Sequence, residues 1–129
     1  MNKKLVYLPD GTVMAQDDGR LDGHTTEEKI TIIQAHLDDA ELLTQLAEEA
    51  AELAKAALKL RRAITGKNPT PVSKAEALSA LAEEIADVDI CCLCLRFADD
   101  LTSDRQFYES KLNRWAGRLE EGETNANRR

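Results

Sequence analysis

Two octapeptides carry acids at matching places. Residues 46–53 read LAEEAAEL and residues 81–88 read LAEEIADV. Each acid of the first has an acid in the second, so Glu49 corresponds to Glu84 and Glu52 to Asp87. Acids three apart lie on neighbouring parts of a helix surface. Each segment therefore offers a pair of carboxylates beside an apolar stripe. Such pairs can ligate a hard cation or move a proton. The plainer alternative is a solvated acidic face, common on helices rich in Ala, Glu and Leu. Two copies in the same phase weigh against it.

The segment between the repeats adds geometry. Thr65-Gly66-Lys67-Asn68-Pro69-Thr70-Pro71 stops one helix and turns the chain. A turn this short makes the flanking helices an antiparallel hairpin. Glu52 precedes Asn68 by 16 positions and Glu84 follows it by 16; for Glu49 and Asp87 the offset is 19. These pairs are expected to come level, so four carboxylates converge if the acidic flanks face each other. Two like charges ~4 Å apart repel by roughly 4 kcal/mol at an effective dielectric of ~20. A divalent cation removes that cost. With no His or Cys beside the acids, the all-oxygen ligand type suits Mg²⁺ or Mn²⁺ and disfavours Zn²⁺. Mg²⁺ keeps several waters and recruits phosphates, so a phosphate ester or anhydride is the expected substrate.

The elements that must position these acids follow from periodicity. Leu43, Leu46, Ala50, Leu53, Ala57, Leu60 and Ile64 step by three and four. Leu78, Leu81, Ile85, Val88, Cys92 and Leu95 do the same. Thr25 or Thr26 caps a first helical segment, and Asp38-Asp39 marks a break before the long helix. Ser73-Lys74-Ala75-Glu76 is a capping box for the next, which is expected to run to about Ala98. A last helix spans about 103–120. Leu5-Val6-Tyr7-Leu8, Pro9-Asp10-Gly11 and Thr12-Val13-Met14 read as a small hairpin, which needs something to pack on. The expected fold is all-α: an antiparallel helical bundle with a small N-terminal β-hairpin, completed by oligomerisation. Residues 1–23 form the hairpin and a loop, 24–121 the helical domain, and 122–129 a frayed tail.

Composition narrows the function. The 129 residues suit one domain. At 43% apolar and 32% charged, the chain can bury a core. Aromatics at 4% argue against a sandwich and against base stacking. A net charge of −7 excludes a generally basic nucleic-acid footprint. It does not oppose phosphate binding, because a bound cation reverses the local sign. No apolar run approaches a membrane span, and the start lacks the apolar region of a signal peptide. Cys91, Cys92 and Cys94 share one apolar run and read as buried small hydrophobes, in keeping with a reducing, cytoplasmic location.

The motif Gln45-Leu46-x-Glu48-Glu49-x-x-Glu52-Leu53, followed by Glu84-Ile85-Ala86-Asp87-Val88, resembles the MazG-like superfamily. These are all-α nucleoside triphosphate pyrophosphohydrolases related to the dimeric dUTPases. The similarity covers about Gln34 to Leu95, half of the chain. It implies hydrolysis of a nucleoside triphosphate to the monophosphate and pyrophosphate. By the same resemblance Glu49, Glu52, Glu84 and Asp87 would hold Mg²⁺ and carry catalysis. Glu49 or Glu52 would help take the proton of the attacking water, and Glu48 would support the ligands.

Cations could complete the site. Lys55 and Lys59 follow Glu52 on a similar side and could meet phosphates; the alternative is a solvated face with local ion pairs. Lys111, Arg114 and Arg118 make a basic stripe on the last helix, where family members often touch phosphate. Its alternative is a solvated face that complements the helix dipole. His24 and His36 have no acid at ligand spacing, against a di-iron reading. Trp115 reads as packing on the bundle or at an interface. A non-catalytic oligomerisation module is the rival function, and a hydrolase of another phosphoanhydride a third. The bundle is expected to form a homodimer or homotetramer, with a nucleoside triphosphate as substrate and neither nucleic acid nor membrane as partner.

Overall fold

The structure is a computed structural model that describes residues 4–7, 13–16, 20–67, 71–97 and 105–127. It divides into two units, Met1–Asp38 and Asp39–Arg129. In the first, strand β1 (Lys4–Tyr7) pairs antiparallel with β2 (Val13–Gln16), from Lys4 opposite Gln16 to Tyr7 opposite Val13. The turn expected at Pro9-Asp10-Gly11 lies outside the described residues. Helix α1 (Thr26–His36) starts at a capping box. The Thr25 hydroxyl accepts from the Glu28 N–H, and the Glu28 carboxylate accepts from the Thr25 N–H, both at 3.1 Å. Two donors that a helix start leaves without partners are thus satisfied together. The helix ends where Leu37 turns extended.

The second unit holds α2 (Asp39–Thr65), α3 (Lys74–Cys94) and α4 (Arg105–Asn127). Helix α2 stops at Gly66, whose φ of 67° is the left-handed conformation that glycine adopts without a Cβ clash. Its N–H donates to the Arg62 carbonyl at 2.9 Å. Helix α3 starts at the Ser73–Glu76 capping box. It ends at Cys94, before the expected Ala98, because Leu95 turns extended and is buried. The break expected over 99–104 lies outside the described residues. Helix α4 runs past the expected end near Glu120 and through Gly122. A glycine costs a helix only about 1 kcal/mol, too little by itself to stop one.

Among the described helices the extensive packing is that of α2 on α3. The pair is antiparallel. Asp39, which opens α2, accepts hydrogen bonds from the Arg96 guanidinium at 2.9 Å and the Arg96 N–H at 3.3 Å, just beyond α3. The seam is Leu42, Leu46, Glu49, Leu53, Ala56, Leu60 and Ala63 against Ala77, Leu81, Glu84, Val88, Cys91 and Leu95. Every one of these is buried or half-buried. Spacings alternate between four and three, which keeps one stripe facing a partner helix.

Leu46, Leu53, Leu60, Leu81, Val88 and Leu95 hold the seam as expected, while the alternate positions of both stripes shift by one residue. Leu43, Ile64, Leu78 and Ile85 stand outside the seam and are exposed. Leu42, Ala56, Ala77 and Cys91 take the buried places. Outside Glu49 and Glu84, apolar residues stand at both of the adjacent positions, so periodicity alone does not choose between them. Among the described residues, no helix is long and apolar enough to cross a membrane.

Asp39 joins the open ends of the hairpin through a partly exposed charge-assisted bond. Asp39→Ala should lower unfolding free energy by about 1 kcal/mol. Asp39→Asn, which keeps an acceptor, should lose less. Urea denaturation of the two variants checks this; an unchanged midpoint for Asp39→Ala would refute it.

Candidate metal centre

The one-residue shift of the seam decides the geometry of the acids. Glu49 and Glu84 sit within it, in places that leucines hold one turn away. Asp87 follows Glu84 by three positions and stands at the seam's exposed edge. One carboxylate oxygen from each of Glu49, Glu84 and Asp87 lies within 4.8 Å of the others. Two oxygens opposite each other around Mg²⁺ would be ~4.2 Å apart, given ~2.1 Å bonds. A small rotation of the side chains closes the difference. The donor set, three carboxylates open to water on one side, fits an oxygen-seeking divalent cation. Exposed acids on helices are common without an ion; these three meet across two helices, with Glu49 and Glu84 half-buried and Asp87 exposed.

Electrostatics registers the crowding. The Glu84 carboxyl is pushed above its ordinary value, first by desolvation, then by the charges of Asp87, Glu49, Glu52 and Glu83. Cys91 lies beneath, one turn after Asp87. Burial raises its thiol first, and the nearby Glu49 carboxylate raises it further. A thiol held protonated is a poor metal ligand, so the centre remains an oxygen site with an apolar floor. Gln45 donates its amide to Glu49 one turn below and steadies that carboxylate. Neither Gln45 nor Cys91 was assigned a role in the site by sequence reasoning. Their signal was spacing, each four residues from an acid of the cluster.

The other expected residues are placed differently. Glu52 does not join the three; its carboxylate accepts from Lys55 at 2.9 Å. That pairing raises the Lys55 ammonium through the hydrogen bond and the charge of Glu52. Instead of two level pairs, 52 with 84 and 49 with 87, Glu49 meets both acids of α3. Glu48 and Lys59 are exposed on α2, and Lys111, Arg114 and Arg118 are exposed on α4. No extensive packing joins α4 to α2 or α3 among the described residues. The Arg118 guanidinium donates to the Arg114 carbonyl. His24 and His36 are exposed, and the His36 ring meets the Ile32 carbonyl at 2.8 Å. Cys91 and Cys94 are buried, Cys92 half-buried, and all three are free thiols.

No family model, curated protein or solved structure matches the chain.

The raised Glu84 value fixes a sign. The folded chain holds that proton to higher pH than the unfolded chain does. Stability from this group is full below the ordinary glutamate value of 4.5 and is lost as pH rises through the folded value. In EDTA, the melting temperature of wild type should therefore fall more between acid and neutral pH than that of Glu84→Gln. Mg²⁺ at neutral pH should raise wild type and leave Glu84→Gln unchanged. Equal pH slopes in thermal melts of the two proteins would contradict this.

Proposed function

We propose that the chain is a Mg²⁺-dependent nucleoside triphosphate pyrophosphohydrolase that serves nucleotide-pool housekeeping. The observation that carries the reading is the meeting of Glu49, Glu84 and Asp87 across α2 and α3. These residues belong to the two motifs that resemble the MazG-like superfamily. Mn²⁺ can replace Mg²⁺, because the donors are the same oxygens. When bound, the cation supplies charge neutralisation at the phosphates and a water of lowered pKa.

The chain's own residues supply the rest. Glu49, Glu84 and Asp87 hold the ion, with Gln45 steadying Glu49. Glu52 lies outside that set, and we assign it to accept the proton of the attacking water, while Lys55 holds its carboxylate. Water oxygen bonds to the α-phosphorus in line with the leaving oxygen, the bond to the β-phosphate breaks, and pyrophosphate departs. Lys55 being engaged by Glu52, Lys59, Lys111 and Arg114 remain for the phosphates. Glu48 supports the acidic face beside them. The free thiols of Cys91, Cys92 and Cys94 support a reducing, cytoplasmic location as part of this reading.

One observation favours a second reading, a non-catalytic oligomerisation module: large apolar side chains on α2, α3 and α4 stand exposed. Incubation with Mg²⁺ and a panel of canonical and modified nucleoside triphosphates separates the two. The hydrolase releases monophosphate and pyrophosphate, identified by mass. Asp87→Ala and Glu84→Gln lower the rate at least ~100-fold, the scale of losing a group that stabilises charge in the transition state. No turnover across the panel, with no thermal shift from Mg²⁺ plus nucleotide, would leave the module.

A further inference from the structure

Glu52, Lys55, Lys59 and Arg62 follow one another on α2 at steps of three, four and three, so they form one stripe along the helix. Glu52 comes three positions after Glu49, as Asp87 does after Glu84. In an antiparallel pair the same step on both helices leads to the same side. The stripe therefore leaves the acid cluster on the side of Asp87 and runs toward the turn.

Charge changes sign along it. From 53 to 75 the chain holds Lys55, Lys59, Arg61, Arg62, Lys67 and Lys74 and no acid. Toward the open end the same side of α2 carries Glu48, Gln45 and Glu41 instead. On that side of α3, Glu83 belongs to the acidic surroundings of Glu84, and Glu76 is held in its capping box by the Ser73 N–H at 2.8 Å. Lys55 is taken by Glu52. Among the described residues neither Lys59 nor Arg62 has an ion-pair partner, and Arg62 is half-buried. A half-buried cation without a counter-charge costs free energy that a bound anion offsets. A chain of phosphates that starts at the acid cluster with its cation is thus attracted to the turn end and repelled from the open end.

Length sets which phosphate each cation meets. Lys59 and Arg62 come ten and thirteen positions after Glu49, ~15 and ~20 Å along the axis at ~1.5 Å per residue. Long side chains on a helix lean toward its N-terminus, here toward the cluster, and each reaches back a little over one turn of ~5.4 Å. The three phosphorus atoms of a triphosphate also cover about one turn, ~5.4 Å. A triphosphate whose α-phosphorus sits at the cluster ends within reach of Lys59 and stops short of Arg62. One more phosphate closes the gap. We propose that Lys59 and Arg62 form a subsite for the far end of a phosphate chain, with Arg62 placed for a fourth phosphate, so that nucleoside tetraphosphates are preferred to triphosphates. The substrate assignment rests on the hydrolase reading; the anion subsite rests on the stripe and the unpaired cations. In the reaction, water oxygen bonds to the α-phosphorus and Glu52 takes its proton. The bond to the β-phosphate breaks, and nucleoside monophosphate and tripolyphosphate leave.

Calorimetry of the full chain with Mg²⁺ and inorganic tripolyphosphate or tetrapolyphosphate tests the subsite without any turnover. Wild type is expected to bind the longer chain at least ~10-fold more tightly, the scale of one charge-assisted hydrogen bond. Arg62→Gln should lose that margin and Arg62→Lys should keep part of it, both with unchanged far-UV dichroism. Arg61→Gln removes the same charge on the other side of α2 and should keep the margin whole. Where a nucleoside triphosphate is turned over, the ratio of kcat/KM for its tetraphosphate to its own should follow the same order, with tripolyphosphate identified by mass. Failure of wild type to bind either chain, equal affinity for the two, or a margin unchanged in Arg62→Gln would overturn the proposal. So would a margin lost equally in Arg61→Gln, which would make the effect one of general charge. A margin that depends on Arg62 with no turnover of any nucleotide would uphold the subsite and remove the hydrolase reading alone.

Discussion

The close approach of α2 and α3 brings three negative charges to one place. Small residues make that approach geometrically easy: Ala56 and Ala77 are buried in the seam, as is Cys91. Leu42, Leu60 and Leu95, also buried there, supply the apolar contact that holds the pair together. Glu49 and Glu84 occupy half-buried seam positions on facing helices. Their carboxylates are half-buried and face like charges, so the folded chain carries an electrostatic cost that a divalent cation or a proton relieves. That cost is what the proposed cation would offset.

The rest of the hairpin maintains this placement. Gly66 and the Ser73–Glu76 capping box fix where each helix stops and starts near the turn. Asp39 and Arg96 join the open end. With both ends set, the helices have little freedom to slide, and the acids stay in register. Gln45 restrains Glu49, and the Glu52–Lys55 pair keeps a fourth carboxylate out of an already crowded set. A fourth acid in the cluster would add repulsion that a single divalent ion would not balance.

Much of this was legible in the residues. Thr65 to Pro71, Ser73 with Glu76, and Asp38-Asp39 located the helix limits, because glycine, proline and capping side chains act locally. The matching octapeptides located Glu49, Glu84 and Asp87. What periodicity did not fix was the rotation of each helix about its axis. Leu43 and Ile85 looked like core by hydrophobicity, yet Leu42 and Glu84 hold the seam. A shift of one residue turns a helix by ~100°, and an apolar stripe wide enough to contain both choices does not decide between them. The same shift explains Glu52, which spacing placed level with Glu84. Three positions from Glu49 it lies on the flank, where Lys55 is within reach. The early end of α3 was also hidden, since Leu95 and its neighbours are as apolar as a continuing helix would be.

The central claim is that Glu49, Glu84 and Asp87 act as one oxygen cage. Titration of the chain with Mn²⁺, followed by electron paramagnetic resonance, addresses it without reference to any reaction. The account predicts that wild type quenches the signal of free Mn²⁺, that Mg²⁺ restores it by competition, and that Asp87→Asn or Glu49→Gln removes the quenching while the helical content is kept. Free Mn²⁺ undiminished by wild type, or bound equally by a variant lacking all three carboxylates, would contradict it.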